Sequence, residues 1–241
     1  MSCGADTRER IPGARHAQAP AALGTVRVVP SPADPDDPDD RPADHYFSAE
    51  PASAEERRSV VMHLAGRDLT VQTAAGIFSP ARVDIGTQVL LRTVGSPPAT
   101  GDLLDLGCGW GPIALTLALQ SPDARVWAVD VNNRALDLLR RTASDLGLEN
   151  LTVLTPDQVP PSVRFCTIWS NPPIRVGKEA LHQMLQLWLG RLEPEGEAHL
   201  VVQRNLGADS LQRWIAGELH LPVDRVASAK GFRVLRVGAA G

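Results

Sequence analysis

The chain has 241 residues, of which 43% are hydrophobic, so it can bury one sizeable core. No apolar run approaches the ~20 residues of a membrane span, and the N-terminus lacks the apolar stretch of a signal peptide. The net charge of −4 excludes a strongly basic nucleic-acid-binding protein, so any contact with RNA has to come from a local basic patch.

The three cysteines, Cys3, Cys108 and Cys166, are scattered and have no paired spacing. They predict neither a disulfide framework nor a zinc site, and they favour a reducing compartment. We therefore predict a cytoplasmic protein that spans no membrane and holds no metal. The oligomeric state stays open at this point.

Residues 1–44 differ in composition from the rest of the chain. They contain eight acidic and five basic residues, many prolines and almost no large apolar side chains. Such a segment cannot bury enough apolar surface to fold, so we predict a disordered tail, with an acidic interaction arm as the less favoured alternative. Residues 45–241 are predicted to form one folded domain.

Residues 45–80 are predicted to be an N-terminal hairpin extension of this domain. "SVVMHLAG" and "RDLTVQTAAG" alternate apolar and polar residues, with Val60, Met62 and Leu64 on one face. This alternation is typical of the two strands of a β-hairpin. The next stretch, "DIGTQVLLRTVG", predicts a short helix.

Strands and helices alternate from residue 101 to residue 237. Strands are predicted at DLLDLG, RVWAVD, LTVL, RFCTIWS, EAHLVVQ and the two halves of VDRVASAKGFRVLRVG. Helices are predicted at PIALTLALQ, NRALDLLRRTASDLGL, KEALHQMLQLWLGRL and ADSLQRWIAGEL. This alternation predicts an α/β fold in which helices cover both faces of a mainly parallel seven-stranded sheet.

A glycine-rich loop, "DLGCGWG", joins the first of these strands to its helix. Gly107, Gly109 and Gly111 allow a sharp turn and the close approach of a ligand, and the helix that follows presents free N–H groups. Asp130 ends the next strand, where a carboxylate suits the hydroxyl groups of a ribose. The glycines alone are also compatible with a tight turn that binds nothing.

Two details favour S-adenosylmethionine over a dinucleotide as the ligand of this loop. Pro112 stands where the dinucleotide fingerprint has glycine or alanine. Asp105, just before the loop, would repel a pyrophosphate but suits an ammonium group. S-adenosylmethionine has an ammonium group and a ribose and no phosphate, so Asp105 and Asp130 together fit it.

With "AVDVNNRAL" and "NPPI", the loop resembles class I S-adenosylmethionine-dependent methyltransferases over residues 101–237. "HYFSAEP", "GIFSPARVDIGTQVLL" and "KGFRVLR" extend the resemblance to residues 45–237, where the chain is similar to the ribosomal RNA small-subunit guanine-N2 methyltransferase family. The resemblance implies a Rossmann-like methyltransferase domain, S-adenosylmethionine as the cofactor, and ribosomal RNA or the small ribosomal subunit as the partner.

The resemblance also implies roles for individual residues. Asp105 and the first two loop glycines would hold the methionine end of the cofactor, Asp130 the ribose, and Asp157 would lie near the adenine. Phe78 would cover the site from the side of the hairpin. The predicted cofactor-binding set is Phe78, Asp105, Gly107, Cys108, Gly109, Gly111, Asp130, Val131, Asp157 and Asn171. The chain departs from the family where "TPDQ" replaces a common Gly-Asp pair and where Cys166 replaces a common acidic residue.

The stretch "SNPPI" sets Asn171 before two prolines at the end of a predicted strand. Because proline lacks an N–H and restricts the residue before it, Pro172 and Pro173 hold the backbone rigid and extended. The side-chain oxygen of Asn171 and the carbonyl of Pro172 can then each accept one hydrogen of an exocyclic amine, which directs its lone pair at a methyl donor. No strong base is needed, because the methylated amine is cationic and loses a proton readily. A simple proline turn is the alternative.

The residue after the prolines, Ile174, bears on the substrate. In related enzymes that act on adenine or glutamine an aromatic residue stacks on the target there, so by resemblance Ile174 favours guanine. Arg175 and Lys178 are predicted to contact RNA phosphates, although Lys178 is equally compatible with the start of a solvated helix. The predicted catalytic residues are Asn171, Pro172, Pro173 and Ile174.

We therefore predict an S-adenosylmethionine-dependent enzyme that methylates the N2 amine of a guanine in ribosomal RNA. One alternative is an N-methyltransferase for adenine, a protein amide or a small-molecule amine. The other is a non-catalytic RNA-binding module of the same fold. Assays on separated RNA, protein and metabolite fractions distinguish the first, and production of S-adenosylhomocysteine excludes the second.

Overall fold

A computed structural model of the chain describes residues 57–239. Its strands are β1 (Arg58–Leu64), β2 (Arg67–Thr73), β3 (Asp102–Leu106), β4 (Arg125–Val129), β5 (Leu151–Leu154), β6 (Phe165–Ser170), β7 (Leu192–Gln203), β8 (Val223–Ala229) and β9 (Phe232–Gly238). Its α-helices are α1 (Ile85–Thr93), α2 (Pro112–Gln120), α3 (Asn133–Asp145), α4 (Lys178–Leu189) and α5 (Ala208–Glu218). The tail predicted over 1–44 and the first part of the hairpin extension lie outside the described residues.

The strands form a two-stranded antiparallel hairpin, β1–β2, and a seven-stranded sheet in the order β5-β4-β3-β6-β7-β9-β8. Strands β3 to β7 all run parallel to one another. Strand β9 is antiparallel to both β7 and β8. The fold is therefore a Rossmann-like α/β domain, and the prediction of a mainly parallel seven-stranded sheet is confirmed.

Two apolar clusters fill the two faces of the large sheet. One contains side chains of the hairpin, α1, α2 and α3, such as Val71, Leu90 and Leu136. The other contains side chains of α4 and α5, such as Leu185 and Ile215. Because the sheet is covered on both faces, its central strands are apolar on both sides, which is typical of parallel sheets.

Helix starts place polar groups at the carboxyl ends of the strands. The side chain of Asp84 accepts a hydrogen bond from the N–H of Gly86 (2.7 Å) and so caps α1. Asn132 caps α3 by accepting from the N–H of Ala135 (3.1 Å). Such side chains satisfy N–H groups that lack a partner within the helix. Asn132 thus follows the end of β4 closely, whereas Asp84 contacts Asn171, which follows the end of β6.

Strand β7 differs from its prediction at its beginning. The pattern "EAHLVVQ" predicts a strand from Glu197, whereas the strand begins at Leu192. The added residues include Pro194 and Gly196, and both residue types are uncommon in strands. The register between β6 and β7 shifts beside Phe165. A Cβ at Gly196 would lie 2.7 Å from the Phe165 carbonyl oxygen, so this irregular pairing requires glycine.

Candidate active site

The order of the strands places a crevice at the carboxyl ends of β3 and β6. The chain passes from β3 outward to β4 and β5 on one side, and later from β6 to β7 on the other. Loops that leave adjacent strands in opposite directions separate there, and ligands of open α/β sheets bind at such points. The glycine-rich loop follows β3, and the Asn-Pro-Pro stretch follows β6. The topology thus brings together two predicted motifs.

The glycine-rich loop is held against the end of β4. The N–H groups of Gly107 and Cys108 both donate to the carbonyl of Val129, at 2.8 and 3.0 Å. Gly111 has φ of 92° and packs so closely on Leu139 that a Cβ there would collide with that side chain. Glycine is thus required at the start of α2 both by the backbone conformation and by the packing.

Asp130 follows β4 and lies beside the loop. One carboxylate oxygen accepts from the N–H of Gly109 (2.8 Å), and the other accepts from the N–H of Asn132 (2.9 Å). Burial raises the pKa of the Asp130 carboxyl, and these backbone hydrogen bonds partly oppose the rise. Since each carboxylate oxygen has two lone pairs, Asp130 keeps acceptor capacity for ribose hydroxyls.

Asp105, at the end of β3, is completely buried. Its Oδ2 accepts from the N–H of Ala114 (2.8 Å), whereas its Oδ1 has no hydrogen-bond partner among the described residues. Burial raises the pKa of Asp105 well above its ordinary value, and the nearby charge of Asp130 raises it further. An unpartnered buried carboxylate oxygen beside a glycine loop fits the ammonium group of S-adenosylmethionine.

A covering segment, residues 75–79, crosses the loops that follow β3 and β4. Trp110 Nε1 donates to the carbonyl of Ser79 (3.1 Å), and Asn132 Nδ2 donates to the carbonyl of Gly76 (3.2 Å). Arg134 Nη1 donates to the carbonyl of Ala75 (2.9 Å). Phe78 lies in this segment and is 43% exposed. Sequence reasoning placed Phe78 near the cofactor but missed the three side chains that hold the segment.

Val131 and Asp157 lie on the side of the crevice where β4 and β5 end. Val131 follows Asp130 directly and is exposed. Asp157 is exposed in a short 3₁₀ helix, Pro156–Gln158, that follows β5. Both predicted residues therefore have free surface toward the solvent at the edge of the sheet where the glycine loop lies.

The Asn-Pro-Pro stretch lies directly against the start of α1. The amide nitrogen of Asn171 donates to Asp84 Oδ2 (3.0 Å) and to Thr87 Oγ1 (3.1 Å). An ionised carboxylate can only accept, so the contact with Asp84 assigns the nitrogen to this side of the amide. None of the described residues donates to Asn171 Oδ1. The amide oxygen is therefore left as an acceptor.

The two prolines continue this arrangement toward the glycine loop. The carbonyl of Pro173 accepts from the N–H of Val176 (3.2 Å). No described residue donates to the carbonyl of Pro172. A Cβ on Gly107 would lie 3.7 Å from the ring of Pro173, so the glycine loop and the prolines are nearly in contact. Two free acceptors, on Asn171 and Pro172, thus stand beside the predicted cofactor loop.

Ile174 begins a short 3₁₀ helix, Ile174–Val176, and is half-buried against α4 and α5. It lines a cleft of about 230 Å³ together with Lys178, His182, Leu206 and Ser210. Arg175 and Lys178 are both exposed, and Lys178 is the first residue of α4.

The model of the methyltransferase small domain family matches residues 68–236, which is more than half of the chain. The chain belongs to this family. It is an S-adenosylmethionine-dependent methyltransferase of class I, related to ribosomal RNA small subunit methyltransferase C. The predicted family and cofactor are confirmed.

Relatives within the family differ in how much of their length the chain spans. It is 32% identical to the uncharacterized protein YbxB of Bacillus subtilis over 197 residues, which are 80% of this chain and 98% of that protein. It is 32% identical to ribosomal RNA small subunit methyltransferase C of Pseudomonas aeruginosa over 231 residues, which are 93% of this chain and 61% of that enzyme. The corresponding enzyme of Aeromonas hydrophila is 33% identical over 138 residues, 56% of this chain and 40% of the enzyme.

A solved structure shares the fold. The Thermus thermophilus 16S rRNA N2 G1207 methyltransferase (RsmC), in complex with AdoMet and guanosine, superposes with a TM-score of 0.66 at 24% identity. The match covers 78% of this chain and 52% of that one. Within residues 57–239, no helix is long and apolar enough to cross a membrane, and no group of three or more His, Cys, Asp or Glu side chains could hold a metal ion.

Proposed function

We propose that the protein transfers a methyl group from S-adenosylmethionine to the exocyclic N2 amine of a guanine in ribosomal RNA, most directly RNA of the small subunit. The observation that carries the proposal is the orientation of Asn171. Its amide nitrogen is engaged by Asp84 and Thr87, and its oxygen is free beside the glycine loop. An acceptor held in this way suits an amine that has to be aimed at a methyl donor.

The cofactor fits the side of the crevice formed by β3, β4 and β5. We place its ammonium group at Asp105 and the glycine loop, its ribose at Asp130, and its adenine between Val131 and Asp157. Phe78 then closes this side from the covering segment. S-adenosylmethionine, once bound, supplies an electrophilic methyl group. The full set of proposed cofactor contacts is Phe78, Asp105, Gly107, Cys108, Gly109, Gly111, Asp130, Val131, Asp157 and Asn171.

The clamp, defined as the Asn171 side chain with the Pro172 carbonyl, acts on the amine. Its two acceptors each take one N–H, which turns the nitrogen lone pair out of conjugation with the ring and directs it toward the methyl group. Pro173 keeps the backbone of the clamp rigid. Because the acceptors are in place before the reaction, they stabilise the developing positive charge on nitrogen without reorganisation. The product loses a proton to water, so no side chain has to serve as a strong base.

Guanine is favoured over adenine by the wall beside the clamp. Ile174 is an aliphatic side chain without the π face on which an adenine would stack. Ile174 lines a cleft together with Lys178, and in this proposal the guanine ring lies against its side chain. The relatives named for ribosomal RNA small subunit methylation support the same substrate, although the chain spans only 34% to 61% of their length.

An RNA substrate is further supported by four exposed cations at the carboxyl edge of the parallel strands, where the clamp also lies. Arg175 and Lys178 follow it directly, and Arg204 and Lys230 lie on the next two loops along the sheet. The N–H of Arg204 donates to the carbonyl of Gly231 (2.8 Å), which brings these two loops together. Within the described residues, none of the four cations forms an ion pair. Unpaired cations of this kind suit the phosphates of a polynucleotide.

The decisive experiment maps methylated nucleosides by mass spectrometry in ribosomal RNA from cells with and without the protein. The purified protein is tested in parallel on separated RNA, protein and metabolite fractions. We expect one N2-methylguanine to be absent from the RNA of cells that lack the protein, and to be restored in vitro. A product with N6-methyladenine, or methylation confined to the protein or metabolite fraction, would replace this proposal. Absence of S-adenosylhomocysteine with every fraction would favour a non-catalytic module.

A further inference from the structure

We infer that Asp84 is a positioning residue for methyl transfer: it fixes the Asn171 amide so that the amide oxygen faces the reacting amine. The inference rests on the proposed role of Asn171 and assigns a second task to a residue that otherwise only caps a helix. Asp84 precedes α1, and its Oδ2 accepts from three donors, which are the N–H groups of Gly86 and Thr87 and the amide nitrogen of Asn171.

An asparagine amide is nearly symmetric in shape, so packing alone does not choose between its two orientations. In the reversed orientation the Asn171 oxygen would face the Asp84 carboxylate, and two acceptors would be opposed without a hydrogen between them. The substrate amine would then meet the NH₂ group of Asn171, which is a donor and cannot accept its N–H. The reversed amide is therefore both disfavoured by Asp84 and inactive in the clamp.

Thr87 completes the arrangement from one turn further along α1. Its hydroxyl lies 3.1 Å from the Asn171 nitrogen, so both hydrogens of the amide have a partner. Thr87 is buried, but a hydroxyl can donate as well as accept, so by itself it would tolerate either orientation. Only Asp84 Oδ2, which accepts and cannot donate, distinguishes the two orientations. The start of α1 thus determines which atom of Asn171 the substrate meets.

Substitutions at Asp84 separate the positioning role from the capping role. Asp84→Ser keeps a preferred N-cap residue, but its side chain is shorter and no longer reaches Asn171. Asp84→Asn is the matched control, because its amide oxygen can take the place of Oδ2 and accept from the same three donors. No described residue donates to Asp84 Oδ1, so an NH₂ group at that position displaces no donor. Both variants should unfold at temperatures close to that of the unchanged protein.

The test measures single-turnover methylation of ribosomal RNA, prepared from cells that lack the protein, at saturating S-adenosylmethionine. We expect Asp84→Ser to lower the rate by roughly 10- to 100-fold, by analogy with residues that orient metal ligands, whose loss has an effect of this size. Asp84→Asn should stay within about threefold of the unchanged protein, and cofactor affinity should be the same in all three. If the Asn171→Ala variant is impaired and the Asp84→Ser variant retains the full rate, the inference is wrong.

A double-mutant cycle excludes a separate effect of Asp84. If Asp84 acts only through Asn171, Asp84→Ser should cause no further loss in the Asn171→Ala background. An equal loss in both backgrounds would mean that Asp84 has another role, and the inference would be wrong. A normal rate in Asn171→Ala would overturn the proposed clamp and this inference with it.

Thr87→Val supplies a second test that leaves the cap intact. It removes the hydroxyl at nearly constant volume, and we expect a smaller loss of rate than in Asp84→Ser, because the carboxylate still selects the orientation. The side-chain amide signals of Asn171 in ¹⁵N NMR spectra give a readout independent of activity. They should move strongly in Asp84→Ser and little in Asp84→Asn, and unchanged signals in Asp84→Ser would contradict the hydrogen bond itself.

Discussion

At the scale of single residues, the crevice places acidic side chains where burial disfavours their charge. Asp105 and Asp130 both have a raised pKa because burial penalises the carboxylate form. Backbone N–H groups of Ala114, Gly109 and Asn132 partly compensate by donating to these carboxylates. Such shifted groups are concentrated at functional sites, and here a cationic, ribose-containing ligand would favour their ionised forms.

The first residue-scale prediction concerns Asp130 and pH. A raised pKa means that Asp130 takes up a proton at a higher pH than an ordinary aspartate does. A protonated carboxyl group is a poor acceptor of hydrogen bonds from the ribose hydroxyl groups. Affinity for S-adenosylmethionine should therefore be full at neutral pH. As the pH is lowered, the affinity should begin to fall at a pH above the range in which an ordinary aspartate titrates. Asp130→Asn should weaken binding at neutral pH by about 1.5–3 kcal/mol, the value of hydrogen bonds to charged groups.

Calorimetry over a pH series tests both the pH dependence and the effect of Asp130→Asn. If the unchanged protein and the Asp130→Asn variant bind S-adenosylmethionine equally at neutral pH, Asp130 is not part of the site.

The second residue-scale prediction concerns Asn171. Asn171→Ala removes an acceptor that matters most as the amine becomes cationic, so kcat for ribosomal RNA should fall by roughly 10²–10³, as for the loss of one preorganised hydrogen-bonding group. Cofactor affinity should change little, because Asp105 and Asp130 remain. Single-turnover rates and calorimetry on the same variant separate the two effects. Lost cofactor binding with a normal chemical step would leave Asn171 with its proposed cofactor contact alone and would remove it from the clamp.

At the scale of elements, the covering segment links the hairpin to the site. The hairpin packs on α3, where the N–H of Gln72 donates to the hydroxyl of Thr142 (3.0 Å). The chain then continues over the loops after β3 and β4, held by Trp110 and Asn132. The hairpin, α3 and the loops after β3 and β4 thus have to dock before the covering segment, which includes Phe78, is held in this position. The hairpin is accordingly part of the architecture of the site.

The element-scale prediction tests this link with two matched tryptophans. Trp110 Nε1 donates to the Ser79 carbonyl, and Trp127 Nε1 donates to Asp102 on the other face of the sheet; both rings are buried. Trp110→Phe and Trp127→Phe each lose one hydrogen bond and some packing, so each should lower the free energy of unfolding by about 1–3 kcal/mol. Only Trp110→Phe should also weaken S-adenosylmethionine binding. Equal cofactor affinity in the two variants would mean that the covering segment does not contribute to the site.

At the scale of the whole molecule, the crevice divides the carboxyl edge of the sheet into two halves. The ends of β3, β4 and β5 carry the proposed cofactor contacts. The ends of β6 and β7 and the turn between β8 and β9 carry the proposed clamp and the unpaired cations. The net charge of −4 gives no sign of this asymmetry. A nearly neutral protein can therefore present a local surface suited to phosphates beside a site suited to a cationic cofactor.

The whole-molecule prediction concerns salt. Replacing both Arg204 and Lys230 by alanine should weaken binding to ribosomal RNA and reduce the slope of log affinity against log salt by about 2, which is about 1 for each phosphate that is no longer neutralised. In the control, Arg92 and Arg164, which are exposed at the opposite edge of the sheet, are replaced by alanine. This double variant loses the same two positive charges. Binding titrations in a salt series should separate the pairs, while cofactor affinity stays constant in both. Equal slopes for the two pairs would show that these loops do not face RNA.

The sequence by itself determined the order of elements, the parallel sheet and the location of its two motifs at the ends of strands. These features depend on short spacings: an alternation of apolar residues, three glycines within five positions, and an asparagine before two prolines. Their physical causes, which are backbone freedom, proline rigidity and burial of an apolar face, act over one element at a time. The family resemblance then supplied roles for residues that spacing alone leaves undetermined, such as Asp157.

Only the tertiary structure decided which side chains hold those motifs in place. Asp84 lies 87 positions from Asn171, and Ser79 lies 31 positions from Trp110. In the sequence, Asp84 is an acidic residue before a predicted helix, a pattern that indicates a helix cap and nothing more. Its hydrogen bond with Asn171 forms because the N-terminus of α1 docks against the end of β6. These two segments are distant in the sequence, and they meet because the hairpin, α1 and the sheet pack into one core.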